Sequence, residues 1–347
     1  STGSWLSTYR PDIVLVILES FTGHILDMPE VMPRLKALSE EGIYFPHFYA
    51  NSFRTDRGLV SILSGYPAQP TASIMKSPSK SQSLPAIARS LRKVGYDTEM
   101  IYGGDADFTN MRSYFYATGY GRVMSCDDFT TEENSARWGV PDHITFPRVE
   151  KEIARQTARP FMKTFLTLSS HEPFDVPMSR LEHPYLNSVA YTDSCLGAFV
   201  DTLRQSPLWE NLLIVFVADH TMRYPAGIQE HEVKRHHIPM VWCGGAVRGH
   251  RVVEDYASQI DLAATLLAQM HIDYSDFAFS KNIADTTQRH FAYYTYKDGL
   301  GYVDAENRAV YDCDSESWLL KEGAQADTCA KSAQAFLQKL YDDLGSR

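Results

Sequence analysis

The sequence predicts an α/β fold: a doubly wound, mostly parallel sheet with helices on both faces, plus a small C-terminal antiparallel β/α appendage. Three observations predict it. Four apolar runs, "DIVLVIL" (12–18), "TEMIY" (98–102), "FMKTFLTL" (161–168) and "LLIVFVA" (212–218), are nearly unbroken. Strands of that kind are buried on both faces, as parallel strands are. Between the runs, apolar residues recur at helical spacing. After residue 286 the pattern turns to alternation of polar and aromatic residues.

Along the chain, 12–18 is the first expected strand. Leu84, Ile87, Ala88, Leu91 and Val94 mark a helix before the strand at 98–102. Val189, Leu196, Phe199, Val200 and Leu203 mark another between the third and fourth strands. Asp193 falls on its apolar stripe, and a buried carboxylate needs partners, so it is expected to tie this helix to a loop. "IDLAATLLAQM" (260–270) is a third helix. "FAYYTYKDGLGYVDAENRAVYD" (291–312) reads as antiparallel strands with turns, and Ala333 to Leu344 as a closing helix. The expected organisation is a catalytic domain over 11–285 and a β-plus-helix subdomain over 286–347.

The chain has 347 residues, 44% hydrophobic and 22% charged, ample for a large core. A formal charge of -10 without a basic run argues against nucleic acid as a partner. No apolar segment reaches the roughly 18 residues that span a bilayer. The start, "STGSWLSTYRPD", has no signal-peptide pattern and reads as a trimmed edge. None of the five cysteines forms a CxxC pair, which argues against a zinc ribbon or redox dithiol. Cys313 and Cys329 are close enough in sequence to pair in an oxidising compartment.

In open α/β sheets, ligands bind outside the carboxyl ends of the strands. Glu19 follows the first strand, Gly103-Gly104-Asp105 the second, His171 the third, and Asp219-His220 the fourth. Converging, Glu19, Asp219 and His220 form a metal shell of two carboxylates and one imidazole. Catalytic shells keep one position open. Thr55, in "NSFRTDRGLVSILSG" (51–65), is the natural fourth ligand, because coordination activates a hydroxyl that is otherwise too basic to ionise. It stands where a helix begins, and helix N-termini receive anions. Arg54 and Arg57 crowd the same point, and at least one is expected to bind the anionic group that Thr55 attacks. Asp105 either caps the next helix or faces the site. His231, His236 and His237 are candidates for a second metal or a phosphate contact.

These residues resemble the alkaline-phosphatase and sulfatase superfamily. "VLVILES", "TDRGLVSILSGYP", "YGGD", "LTLSSHEPF", "YTDSCLGAF", "LLIVFVADH", "HIPMVW" and "QIDLAATLL" stand in the family's usual order over 11–270. Within the superfamily the pattern is most similar to the lipoteichoic acid synthase group of phosphoglycerol transferases. The resemblance implies an alkaline-phosphatase-like fold and an extracytoplasmic catalytic domain, anchored in the membrane through segments absent from this chain. It implies one divalent cation on Glu19, Thr55, Asp219 and His220, and a substrate contact for His171. Substrate contacts are also expected of Arg57, Asp105 and His237. Formylglycine sulfatases need a convertible Cys or Ser where this chain has Thr55, which favours phosphate esters over sulfate esters. The "FWNR" of the synthases is replaced by "FTNM" at 108–111, with Arg112 following.

The leading expectation is a metal-dependent phosphotransferase that moves phosphoglycerol or a similar phospho-alcohol from a lipid donor through phospho-Thr55. Thr55 would be the nucleophile, with His171 and Arg57 assisting. The alternatives are a hydrolase, such as a phosphodiesterase or a sulfuric ester hydrolase, and a non-catalytic binding module. One His with two carboxylates and an alkoxide suits Mn²⁺ or Zn²⁺ better than Mg²⁺. The substrate partner is a phospholipid or another phosphodiester.

Overall fold

The computed structural model describes residues 4–70 and 72–347. In chain order its strands are β1 (Asp12–Leu18), β2 (Ile43–Tyr44), β3 (Phe48–Tyr49), β4 (Asp97–Tyr102), β5 (Arg122–Met124), β6 (Phe161–Leu166) and β7 (Leu212–Ala218). There follow β8 (Met240–Cys243), β9 (Arg251–Val252), β10 (Ala257–Ser258), β11 (Ala292–Tyr296), β12 (Gly299–Val303), β13 (Arg308–Asp312) and β14 (Ser317–Glu322). The helices are α1 (Pro33–Glu41), α2 (Thr55–Ser64), α3 (Pro78–Ser81), α4 (Ile87–Arg92), α5 (Met111–Ala117), α6 (Asp142–Arg155), α7 (Pro184–Arg204), α8 (Leu262–Gln269) and α9 (Ala326–Ser346).

The large sheet runs β5-β4-β6-β1-β7-β8-β2-β9. The first five of these strands are parallel. β1 and β7, buried along their whole length, pair residue for residue from Asp12–Leu212 to Leu18–Ala218. Their carboxyl ends therefore finish level, and Glu19 and Asp219 emerge side by side. β8 departs from the parallel expectation: it runs antiparallel to both β7 and β2. α7 packs against both α1 and α6, and α2 packs with α4 and α8.

Asp193 on α7 has the partners a buried carboxylate needs, but they belong to a helix and not to a loop: it accepts from Arg34 N and Leu35 N (2.9 and 2.8 Å) in the first turn of α1. The helix over 84–94 is shorter than its pattern, Ile87–Arg92, because Pro85 precedes it and Gly95 (φ +95°) follows. α6 is not among the expected helices, since Pro147 interrupts the stripe of Phe146, Val149 and Ile153.

The C-terminal residues form their own antiparallel sheet, β11-β12-β13-β14. One face carries α9 through Cys329, Ala330 and Ala333. The other face packs Tyr294, Tyr296 and Val310 on Tyr49 and Val233. β11 is also stitched to the residues just before α2, since Thr295 N donates to Asn51 O (2.8 Å) and Asn51 Nδ2 to Tyr293 O (2.7 Å). Cys313 and Cys329 do not pair; all five cysteines are free. Cys313 is exposed after β13, whereas the Cys329 thiol is buried on α9 beside Arg289 Nη2 (2.8 Å).

Candidate active site

Four expected residues meet at the carboxyl ends of β1 and β7. Ligand atoms of Glu19, Asp219 and His220 all lie within 4.8 Å of one another. Thr55 Oγ1 is 2.8 Å from Asp219 Oδ2, 3.1 Å from Glu19 Oε2 and 3.4 Å from His220 Nε2. Thr55 is the first residue of α2, and no side chain caps that helix. Its hydroxyl turns to the carboxylates, and the first-turn N–H groups are left for an anion.

The reason α2 reaches the cluster is Gly58. A Cβ at that position would stand 2.1 Å from Asp219 O. The helix lies on the strand-end backbone because nothing but hydrogen fills the gap. We predict that Gly58→Ala pushes α2 off Asp219 and costs about 1–3 kcal/mol of stability through overpacking. A displacement of Thr55 by about 1 Å lowers turnover on the order of 10²-fold. Denaturant melts and steady-state rates read the two effects, and wild-type values for both would contradict this packing.

Surrounding groups hold each member in place. Glu19 N donates to Thr167 Oγ1 (3.0 Å), and Ser170 Oγ donates to Glu19 O. Asp219 Oδ1 accepts from Ser20 N (2.9 Å) and His220 N (2.7 Å). Gln259 Nε2 donates to Ala218 O (2.8 Å) and Asp219 O (2.7 Å), while its Oε1 accepts from Asn51 N (2.9 Å). His220 Nδ1 donates to Thr221 O (2.7 Å), which leaves Nε2 facing Thr55. Arg235, itself buried, clamps the Thr221 hydroxyl behind that carbonyl.

The electrostatics describe a site short of positive charge. Burial would raise Glu19, yet the hydrogen bond and charge of His220 bring it down to about 2. Burial and the neighbouring Glu19 charge push Asp219 well above the usual carboxylate range. Burial opposes charge on His220, but Asp219 and Glu19 push it up to about 9. Thr55 has one hydroxyl proton for two carboxylates. Two buried carboxylates, an imidazole nitrogen and a hydroxyl oxygen fit a divalent cation, whose charge would settle all of them.

His171 stands nearby, close enough for its charge to act on Glu19. Its Nδ1 donates to Glu172 O (2.8 Å), so Nε2 is free. Asp142, buried at the start of α6, positions the segment before it, accepting from Leu168 N (2.8 Å), Ser169 N (3.2 Å) and Thr192 Oγ1 (2.6 Å).

Three expected contacts lie elsewhere. His237 is not brought to the cluster: its ring is packed on Tyr49 and its Nε2 donates to Pro46 O (2.7 Å). Asp105 is exposed and caps a turn, accepting from Asp107 N (2.9 Å). Arg57 lies over the Phe53 ring (5.3 Å) and lines a small cavity with Tyr66, Gln69 and Ser73. Its Nε and Nη1 are buried without a partner, and burial lowers its pKa. His231 and His236 are likewise outside the cluster: His231 stands near Tyr296, and His236 stacks on Tyr294 with Nε2 donating to Glu230 O (2.7 Å). Residues the sequence reading passes over include Tyr102, which burial and the charges of Glu19 and Asp219 push above the usual phenol range. Gln259 is another. It opens the "QIDLAATLL" run, where a buried polar residue at a helix start is the readable signal.

The sulfatase family profile matches residues 11–272. Lipoteichoic acid synthase 2 of Bacillus subtilis (strain 168) is 25% identical over 309 residues, covering 78% of this chain and 46% of that protein. The chain thus spans about half the length of this curated relative. Among solved structures, a protein in the alkaline phosphatase superfamily from Vibrio parahaemolyticus superposes with a TM-score of 0.82 at 25% identity, over 97% of this chain and 90% of that one. The lipoteichoic acid synthase LtaP from Listeria monocytogenes superposes with a TM-score of 0.78 at 18% identity, over 99% and 96%.

Proposed function

The chain belongs to the sulfatase family, with an alkaline-phosphatase-like fold, and on that premise we propose that it is a metal-dependent phosphotransferase. It moves phosphoglycerol or a similar phospho-alcohol from a lipid donor, by way of phospho-Thr55, to an acceptor alcohol. The observation that carries this reading is the Thr55 hydroxyl, 2.8 Å from Asp219 and 3.1 Å from Glu19 at an uncapped helix start. A sulfatase of the formylglycine type would need Cys or Ser there.

Sulfatase-family enzymes use a divalent metal, and Glu19, Asp219, His220 and Thr55 are the residues that would hold it, Mn²⁺ or Zn²⁺ by their chemistry. Bound there, the ion would lower the pKa of the Thr55 hydroxyl and balance charge on the phosphoryl oxygens. Thr55 Oγ1 then attacks phosphorus and loses its proton to solvent. The Oγ1–P bond forms, the bond to the leaving alcohol breaks, and His171 Nε2 protonates that alcohol. In the second half the acceptor hydroxyl gives its proton to His171 and displaces Thr55. The first-turn N–H groups of α2, which no side chain caps, are available to the anion. Hydrolysis is the same sequence with water as acceptor.

We propose that this activity lies outside the cytoplasm, at a membrane surface where a lipid donor is found. No helix among the described residues is long and apolar enough to cross a membrane.

The test is a screen with Mn²⁺ of nitrophenyl phosphodiesters, phosphomonoesters and sulfates, with glycerol as acceptor. Diester turnover with transfer to glycerol is expected. Efficient turnover of the sulfate with none of any phosphate ester overturns the reading.

A further inference from the structure

We propose that Arg137 and Trp138 form the subsite for the acceptor alcohol, and that this acceptor is a sugar ring. The inference rests on the reading above, with Thr55 as nucleophile and His171 as proton carrier.

Trp138 is 45% exposed, although indoles are on average well buried. Its ring packs against His171, centroids 4.6 Å apart at 52°. Its Nε1–H donates to Glu172 O (2.5 Å), the carbonyl that also receives His171 Nδ1–H. The indole is thus held by its polar edge, and much of its surface stays open. The Arg137 guanidinium, also exposed, lies 5.7 Å from the indole centroid.

The backbone that presents this pair is tightly built. Ala136 and Gly139 exchange hydrogen bonds (2.9 and 3.3 Å), so Arg137 and Trp138 are the two tip residues of a hairpin turn. Gly139 has φ +143°, and a Cβ there would stand 2.2 Å from Gly103 O. Val140 N donates to Gly103 O (2.9 Å). The turn is therefore fastened both to the Gly103-Gly104 loop after β4 and to the loop that carries His171.

In an in-line displacement the leaving alcohol and the incoming alcohol occupy the same side, opposite Thr55 Oγ1. Both exchange their proton with His171. A side chain stacked on His171 therefore borders that alcohol. A flat apolar face with a guanidinium beside it matches a pyranose, whose C–H face lies on the indole and whose hydroxyls accept from Arg137. Glycerol has no such face, and an acyl chain offers Arg137 no acceptor. The cleft between Trp138, Ser169, His171 and Asp175 holds only about 20 Å³, so the ring rests on the outer face of the indole. The transfer itself is balanced. The sugar oxygen forms the new bond to phosphorus and its proton goes to His171 Nε2. The Thr55 Oγ1–P bond breaks, and Thr55 takes a proton from solvent.

The experiment charges the protein with a nitrophenyl phosphodiester in the presence of Mn²⁺. It then offers methyl β-glucopyranoside and glycerol at equal concentration, and phosphorus NMR counts the two products. The glucoside product is expected to exceed the glycerol product. Trp138→Ala and Arg137→Gln should each lower that ratio by about tenfold, with Trp138→Phe in between. The ratio is internal, so a general loss of rate cancels. Should Trp138→Ala fail to fold, Trp138→Phe and Arg137→Gln carry the comparison. A wild-type preference for glycerol, or a ratio unmoved by these changes, overturns the inference alone. A wild-type chain that turns over diester without any adduct on Thr55 overturns the underlying reading, and this inference with it.

Discussion

Asp219→Ala abolishes divalent-cation binding and lowers turnover by on the order of 10³-fold or more, the several kcal/mol that a bound cation contributes at a transition state. The expectation follows from what the carboxylate touches. One oxygen meets Thr55 Oγ1 at 2.8 Å, and the other accepts from Ser20 N and His220 N at 2.9 and 2.7 Å. Removing it withdraws a ligand and loosens three elements together. Asp219→Asn separates those effects, because the amide keeps the size of the side chain and discards its charge. Titration calorimetry with Mn²⁺ should show one ion per wild-type chain and none for either variant, with the Asn variant melting near the wild-type temperature. Unchanged Mn²⁺ affinity in Asp219→Asn would remove Asp219 from the metal site.

Thr55→Ala eliminates group transfer, a loss of at least on the order of 10⁴-fold when a nucleophile is deleted. It should still bind the donor, since the α2 N-terminus and His171 remain. Thr55→Ser keeps an oxygen in place and should retain part of the rate. The loss of the threonine methyl frees χ1, so the oxygen is held less well. Single-turnover rates and donor affinity separate the two roles. A Thr55→Ala variant working at the wild-type rate would make water the nucleophile and the protein a hydrolase of a different kind.

The main frame was legible because burial on both faces demands near-continuous apolar runs. That is why 12–18 and 212–218 coincide with β1 and β7, and why Glu19 and Asp219 could be read off as strand-end neighbours. What the sequence does not carry is direction and distance. Nothing in the four residues of β8 says that it runs antiparallel to β7. Arg57 and Thr55 are two residues apart, yet on a helix that spacing points them to different sides, and Arg57 turns toward Tyr66 and Ser73. His237 reads as a site histidine until Pro46 O, 191 positions away, is seen to hold its ring. Trp138 lies 33 positions before His171, and only the fold stacks them. Long-range partners of this kind decide which polar residues serve the chemistry and which serve the packing.

The central claim is a covalent phosphoryl group on Thr55, and intact-mass measurement with peptide mapping tests it most directly. Wild-type protein mixed with Mn²⁺ and a nitrophenyl phosphodiester, then quenched in acid, should gain the mass of one phosphoryl ester. Fragmentation should place that mass on Thr55, and Thr55→Ala should gain none. An adduct mapped to any other residue, or diester turnover with no adduct at any quench time, would contradict the account.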